Sequence, residues 1–158
     1  MMLDWPTFVL QRRVNHPLDR IERILCAPEH LRSGDRLPLG ADALALRVER
    51  PFSVAFPPFG VDGTSWTAPA TVEGRRDRAL VKLEIEVNRW DTTSTELVVR
   101  PRARHPHRWG GRRLRRYFHL AHLTADHLTC FLGAQAATLP PDPPGQTRIE
   151  TVGSARRA

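Results

Sequence analysis

Two groups of polar side chains in the sequence have the types and the spacing that site chemistry requires. The first is His119, His122 and Asp126, which share one face if the surrounding segment is helical, because they follow one another at intervals of three and four residues. Two imidazoles and a carboxylate on one face can hold a divalent metal. A solvated face on which His122 and Asp126 simply pair explains the same spacing, and no further ligand is identifiable elsewhere. We therefore predict no metal site and no cofactor.

The second group is a basic cluster around the start of a predicted long helix. Its members are Arg102, Arg104, His105, His107, Arg108, Arg112, Arg113, Arg115 and Arg116, with Trp109 among them. The last four arginines crowd the first helical turn, where positive charge opposes the helix dipole unless an anion lies nearby. Phosphate, an anionic membrane surface or nucleic acid would suit such a cluster. The alternative is a solvated basic face, partly matched by acids such as Glu84 and Glu86.

The overall charge by itself is weak evidence for a nucleic-acid partner. The chain carries a formal charge of +7 and has a pI near 11. However, Lys82 is its only lysine, and alanine and proline are abundant, which is the composition that a GC-rich genome produces. The charge therefore does not favour a nucleic-acid partner, and we expect at most a weak contact with an anionic surface. Catalytic signatures are also absent from the sequence, including the phosphate-binding glycine loop, the G-x-S-x-G elbow and paired-cysteine metal motifs.

Length and composition predict one globular domain in the cytoplasm. A chain of 158 residues is long enough for one sizeable core, and no apolar run approaches the roughly 18 residues that cross a bilayer. The first residues lack the pattern of a secretory signal. Cys26 and Cys130 both have apolar neighbours in sequence, and we predict that they are buried and reduced. The predicted domain covers residues 1–137, and the proline-rich residues 138–158 are predicted to form a disordered tail.

The hydrophobic pattern predicts an α+β fold. A β-rich segment at Thr7–Val14 precedes a short helix, and several strand candidates with strict alternation follow. The clearest is Arg78–Trp90, after which Glu96–Arg104 is the last strand. Alternation leaves one face of each strand polar, which favours an antiparallel sheet. From Gly111 to Ala136 the apolar residues follow helical spacing, with Gly133 as the expected end cap.

This element order resembles the helix-grip fold of the SRPBCC superfamily, the START-like proteins that include polyketide cyclases. The resemblance covers about residues 7–136. It is carried by the segments FVLQRRVNHPLDRIERIL, RALVKLEIEVNRWDTTSTELVVRP and WGGRRLRRYFHLAHLTADHLTCFL. It implies a curved antiparallel sheet wrapped around a long C-terminal helix, with a cavity between them.

A cavity of this kind predicts binding of a small hydrophobic or amphipathic molecule, such as a lipid or a polyketide-like compound. Small residues at the centre of the long helix would leave an apolar void, and apolar voids bind apolar ligands. The predicted wall consists of Phe56, Trp66, Leu83, Ile85, Leu97, Val99, Phe118, Ala121 and Ala125. The alternative for each is that it fills the core. Two other functions stay open: a cyclase or dehydratase in which His122 or Tyr117 points into the cavity, and an anionic-surface or nucleic-acid binder that uses the basic cluster.

Overall fold

A seven-stranded antiparallel sheet curls around one long helix in the computed structural model, which describes residues 8–27, 31–32, 34–40, 43–55 and 64–141. The helices are α1 (Leu18–Cys26) and α2 (Gly111–Thr138). The strands are β1 (Leu10–Val14), β2 (Arg36–Pro38), β3 (Ala45–Val48), β4 (Ser53–Ala55), β5 (Ser65–Glu73), β6 (Ala79–Arg89) and β7 (Thr95–Pro101). A single helical turn at Arg75–Asp77 joins β5 to β6, and another at Pro106–Arg108 precedes α2. The predicted α+β class is therefore confirmed.

The sheet has the strand order β1-β7-β6-β5-β3-β2, and every pair is antiparallel. β4 pairs with the first residues of β5, and β3 pairs with its last residues, so both occupy one edge of that strand. The predicted alternation in β6 is visible as burial, because Leu83, Ile85 and Val87 are excluded from solvent. β2 had no counterpart among the predicted strands, since its three residues RLP offer no alternation to read.

α2 packs on the inner face of the sheet against β1, β7 and β6, and it also contacts α1. Its buried residues are Tyr117, Leu120, Ala121, Thr124, Ala125, Leu128, Leu132 and Ala136. The predicted helix is confirmed, but Gly133 is not its end. The buried stripe continues to Ala136, and the helix ends at Thr138, inside the predicted tail. Residues 142–158 of that tail lie outside the described residues. None of the described helices combines the length and the apolarity that crossing a bilayer requires.

The predicted burial of the two cysteines is wrong. Cys26 and Cys130 are both exposed, and both are free thiols. Apolar neighbours in sequence do not share a helix face, which is the reason for the error. Cys130 follows the buried Leu128 by two positions and therefore points to the other side of α2.

The C-terminal end of α2 is capped by a side chain from α1. The guanidinium of Arg20 donates to the carbonyl oxygens of Ala136, of Leu139 (2.9 Å) and of Pro140 (3.3 Å). The Ala136 carbonyl also accepts from the backbone amide of Leu139 (3.3 Å), and Leu139 and Pro140 follow the last helical residue. A cation also suits the negative end of the helix dipole. Arg20 therefore fastens the end of the long helix to α1.

We expect Arg20→Met to lower the free energy of unfolding by about 2 kcal/mol, because it keeps the methylene packing and removes the guanidinium hydrogen bonds to the carbonyls of Ala136, Leu139 and Pro140. Chemical denaturation measures the effect. Arg20→Lys, which keeps the charge but not the planar fork of donors, should recover part of the loss. Equal stability of Arg20→Met and the parent chain would contradict this role.

Candidate ligand pocket at the start of the long helix

A pocket of about 480 Å³ lies between the first residues of β6 and the first turns of α2. Its lining residues are Ala79, Leu80, Val81, Lys82, Arg102, Trp109, Arg112, Arg113, Arg116 and Tyr117. They come from three places in the chain: the start of β6, the residue after β7, and the entry into α2. The volume lies in the range of pockets that hold small molecules.

Strand pairing brings these three segments to one end of the sheet. Leu83 of β6 pairs with Pro101 at the end of β7, and the backbone amide of Arg102 donates to the carbonyl of Lys82 (3.1 Å). The chain then makes the turn at Pro106–Arg108 and enters α2 after Gly110. The first turns of α2 therefore lie over the start of β6, and the space between them is the pocket.

One wall of the pocket is aromatic. The rings of Trp109 and Tyr117 meet edge to face with centroids 5.4 Å apart, and Phe8 and Phe118 continue the cluster behind them. Tyr117 is almost fully buried, and its hydroxyl donates to the carbonyl of Phe8. Burial raises the pKa of Tyr117 well above its ordinary value, so this phenol stays protonated. Together with Leu80 and Val81, the rings give the pocket an apolar surface.

The rest of the lining is positively charged. Among the described residues, no carboxylate lies within ion-pair distance of Lys82, Arg112 or Arg116, and all three are exposed. The guanidinium carbon of Arg113 stands 4.5 Å from the ring centre of Trp109, which is a cation–π contact. The first turn of α2 contains no acidic residue, and its N-cap Gly110 offers no side-chain cap. The pocket therefore combines unneutralised cations with the positive end of a 28-residue helix dipole.

Arg102 differs from the other cations because its charge is matched inside the protein. Its guanidinium donates to the carbonyls of Leu83 (3.0 Å) and Ala70 (3.1 Å) and forms an ion pair with Glu49, which also accepts from the Thr71 hydroxyl. Burial on its own would raise the pKa of Glu49, but the Thr71 hydrogen bond and the Arg102 charge outweigh it and hold that pKa below its ordinary value. Through these contacts Arg102 holds its part of the pocket lining against β5 and β6.

We expect the Glu49 carboxylate to stabilise the fold at neutral pH and to lose this effect in acid. Because the folded-state pKa is lowered, the contribution is present above the unfolded pKa, near 4.3, and disappears as the pH falls through the folded value. Glu49→Gln should therefore lower the free energy of unfolding by about 1 kcal/mol at neutral pH, and by progressively less as the pH is lowered below the unfolded pKa, in denaturant unfolding. Glu84→Gln, at a carboxylate without an ion pair in the described chain, is the matched control. A Glu49→Gln cost that is independent of pH would refute the assignment.

The structure places most of the predicted wall residues in the core instead of along this pocket. Leu83, Ile85, Leu97, Val99, Ala121 and Ala125 are all fully excluded from solvent within one hydrophobic cluster. Trp66 is half-buried near the opposite end of the sheet, where its indole N–H donates to Glu22 (2.8 Å). Phe118 stacks on Phe8 with centroids 6.1 Å apart. Phe56 lies outside the described residues. None of the eight described residues belongs to the lining of the 480 Å³ pocket, and their contact with a ligand stays a prediction.

His122 and Asp126 contact β1. Arg12 donates to Asp126 (2.9 Å) and lies 3.1 Å from Nδ1 of His122, so one guanidinium joins both side chains to the edge strand. No group of three histidine, cysteine or acidic side chains in the described ranges is arranged to hold a metal ion. The pair fastens α2 to the sheet.

The sequence indicated the arginines of the pocket but not the β6 residues that line its other side. Ala79, Leu80 and Val81 looked like ordinary strand residues, because nothing local indicates that a helix start will lie over them. The sequence did contain one indication of this pocket, which is the cluster of arginines at the positive end of a helix. Family models find no match to this chain, and a search of curated proteins finds none either.

Proposed function

We propose that the protein binds a small amphipathic molecule with an anionic head group in the pocket between β6 and the start of α2. The head group, a carboxylate or a phosphate, lies among Lys82, Arg112 and Arg116. The apolar body rests on Trp109 and Leu80. The observation that carries the proposal is the set of exposed cations without carboxylate partners around a pocket that also has an aromatic wall.

The energetics of the unliganded protein support the same assignment. Arginines in the first turn of α2 are repelled by the helix dipole and by one another, so they cost stability while the pocket is empty. An anion reverses the sign of both effects, because it accepts charge-assisted hydrogen bonds and neutralises the cluster. Residues that oppose stability in this way are expected at functional sites.

No observation favours the enzymatic alternative on the same fold. That alternative requires His122 or Tyr117 to present a reactive group to the ligand. His122 is exposed and contacts Arg12, away from the pocket. Tyr117 does line the pocket, but its hydroxyl is held by the Phe8 carbonyl and its raised pKa keeps it from acting as a base. The two free thiols, Cys26 and Cys130, fit the reducing cytoplasm, which we retain as the proposed location.

Calorimetric titration with three probes tests the proposal. 2-Naphthoate carries both an apolar body and an anion, 2-naphthylmethanol carries only the body, and inorganic phosphate carries only the charge. We expect naphthoate to bind at least about tenfold more tightly than either of the others, since each lacks one half of the recognition. Equal affinity for the neutral alcohol would exclude a role for the cations. Equal affinity for phosphate would exclude a role for the aromatic wall.

A further inference from the structure

The net positive charge of this protein is concentrated in two segments of the chain. We define the basic pole as segments 74–82 and 102–116. The pole contains eleven of the 24 lysines and arginines and only one of the 17 acidic residues, Asp77. Its formal charge is thus +10, whereas the rest of the chain carries −3. A GC-rich genome explains why the cations are arginines, but it does not explain why they are collected in two segments.

In the folded protein, these two segments together form one surface. Glu73 pairs with Ala79 across the turn at Arg75–Asp77, and Leu83 pairs with Pro101, so this turn and the end of β7 lie at the same end of the sheet. The start of α2 joins them through the shared pocket. Every basic residue of the pole except Arg102 is exposed. The exposed set is Arg75, Arg76, Arg78, Lys82, Arg104, Arg108, Arg112, Arg113, Arg115 and Arg116.

We propose that the basic pole docks on an anionic phospholipid bilayer, with the pocket opening toward the lipid. Each lysine or arginine near such a surface raises the partition constant by roughly fivefold, and the attraction falls within a Debye length. Ten exposed cations at one end therefore both bind and orient the molecule. An amphipathic ligand could then pass between the bilayer and the pocket without crossing water.

Two observations favour a bilayer over nucleic acid as the partner. A pocket with apolar walls opens within the pole, which suits a lipid-like molecule and has no counterpart in phosphate-backbone recognition. The indole of Trp109, the only tryptophan of the pole, lines the pocket and has Arg113 over its ring, which suits a ligand inside the pocket better than bases stacked along an outer surface. Among the described phenylalanine, tyrosine and tryptophan side chains, only Trp90 is exposed, and it lies at the opposite end, at the β6–β7 turn.

Vesicle co-sedimentation of the full chain tests this docking. We expect binding to phosphatidylcholine vesicles that contain about one third phosphatidylserine, little binding to pure phosphatidylcholine, and release as salt is raised to about 0.5 M. The triple variant Arg75→Gln/Arg104→Gln/Arg108→Gln removes three charges of the pole that do not line the pocket. It should weaken vesicle binding about a hundredfold.

The matched control is Arg13→Gln/Arg50→Gln/Arg89→Gln, which removes the same charge from exposed positions outside the pole. It should change vesicle binding by no more than a few-fold. Equal binding to both vesicle types, equal losses in the two triple variants, or tighter binding to a short DNA duplex than to the anionic vesicles would each overturn the proposal. Naphthoate affinity, measured without vesicles, should be retained in the pole variant. Failure of the pocket proposal is thus distinguishable from failure of the docking proposal.

Discussion

Replacing Arg112 and Arg116 together with glutamine is expected to weaken 2-naphthoate binding about a hundredfold. Both side chains line the pocket, and neither has a carboxylate partner in the described chain. Each is expected to supply a charge-assisted hydrogen bond worth roughly 1.5 kcal/mol or more, so loss of two corresponds to about two orders of magnitude in the dissociation constant. Glutamine keeps most of the aliphatic stem, so the pocket wall changes little.

The control for this prediction is Arg108→Gln/Arg115→Gln. These two arginines belong to the same basic pole, but neither lines the pocket. A loss specific to the first pair separates direct contact from long-range attraction. The first pair should also make the unliganded protein slightly more stable, because it removes like charges from the positive end of the α2 dipole. A parallel loss of affinity in both double variants would refute direct contact.

Ala121→Leu is expected to lower the free energy of unfolding by about 2 kcal/mol. Ala121 is fully buried in α2 and belongs to the same hydrophobic cluster as Leu83, Ile85 and Val99 of the sheet. A larger side chain at a filled position forces its neighbours out of their rotamers, which typically costs 1–3 kcal/mol. If a void instead lies beside Ala121, as the helix-grip resemblance implies, leucine would fill it and stabilise the fold.

Ala134→Leu is the control for Ala121→Leu. It makes the same substitution on the exposed side of the same helix and should change stability by less than about 0.5 kcal/mol. Thermal or chemical denaturation of both variants gives the comparison. A stabilised Ala121→Leu variant would contradict a filled core. It would instead support a ligand cavity between the sheet and the middle of α2, as the sequence predicted.

Much of the fold could be predicted from the sequence because its elements are long and strongly periodic. β6 alternates along a strand of eleven residues, and the 28-residue helix α2 carries an apolar stripe that is buried from Tyr117 to Ala136. Each pattern therefore repeats often enough to be read without tertiary information. Predictions were less accurate where few residues carry the signal. β2 has only three, and the end of α2 depends on Arg20, a residue 116 positions before the Ala136 carbonyl that it caps.

The site was harder to predict than the fold for a related reason. The sequence showed small residues at Ala121 and Ala125, and these suggested a cavity at mid-helix, but the structure packs both into the core. The pocket instead depends on how the entry into α2 lies over Leu80 and Val81, about 30 residues earlier in the chain. Sequence patterns report which side chains are buried, whereas the space between two element ends is set by tertiary placement.

The most direct test of ligand binding in the pocket between β6 and α2 is to follow the indole N–H resonances in a heteronuclear NMR titration with 2-naphthoate. The chain has four tryptophans, and three lie in the described residues at well-separated places. Trp109 lines the pocket, Trp66 belongs to the wall predicted from the sequence, and Trp90 is exposed at the β6–β7 turn. Single substitutions to phenylalanine assign the signals. We predict a saturable shift of the Trp109 resonance with Trp66 and Trp90 unchanged. A shift of Trp66 with Trp109 unchanged would contradict the pocket assignment.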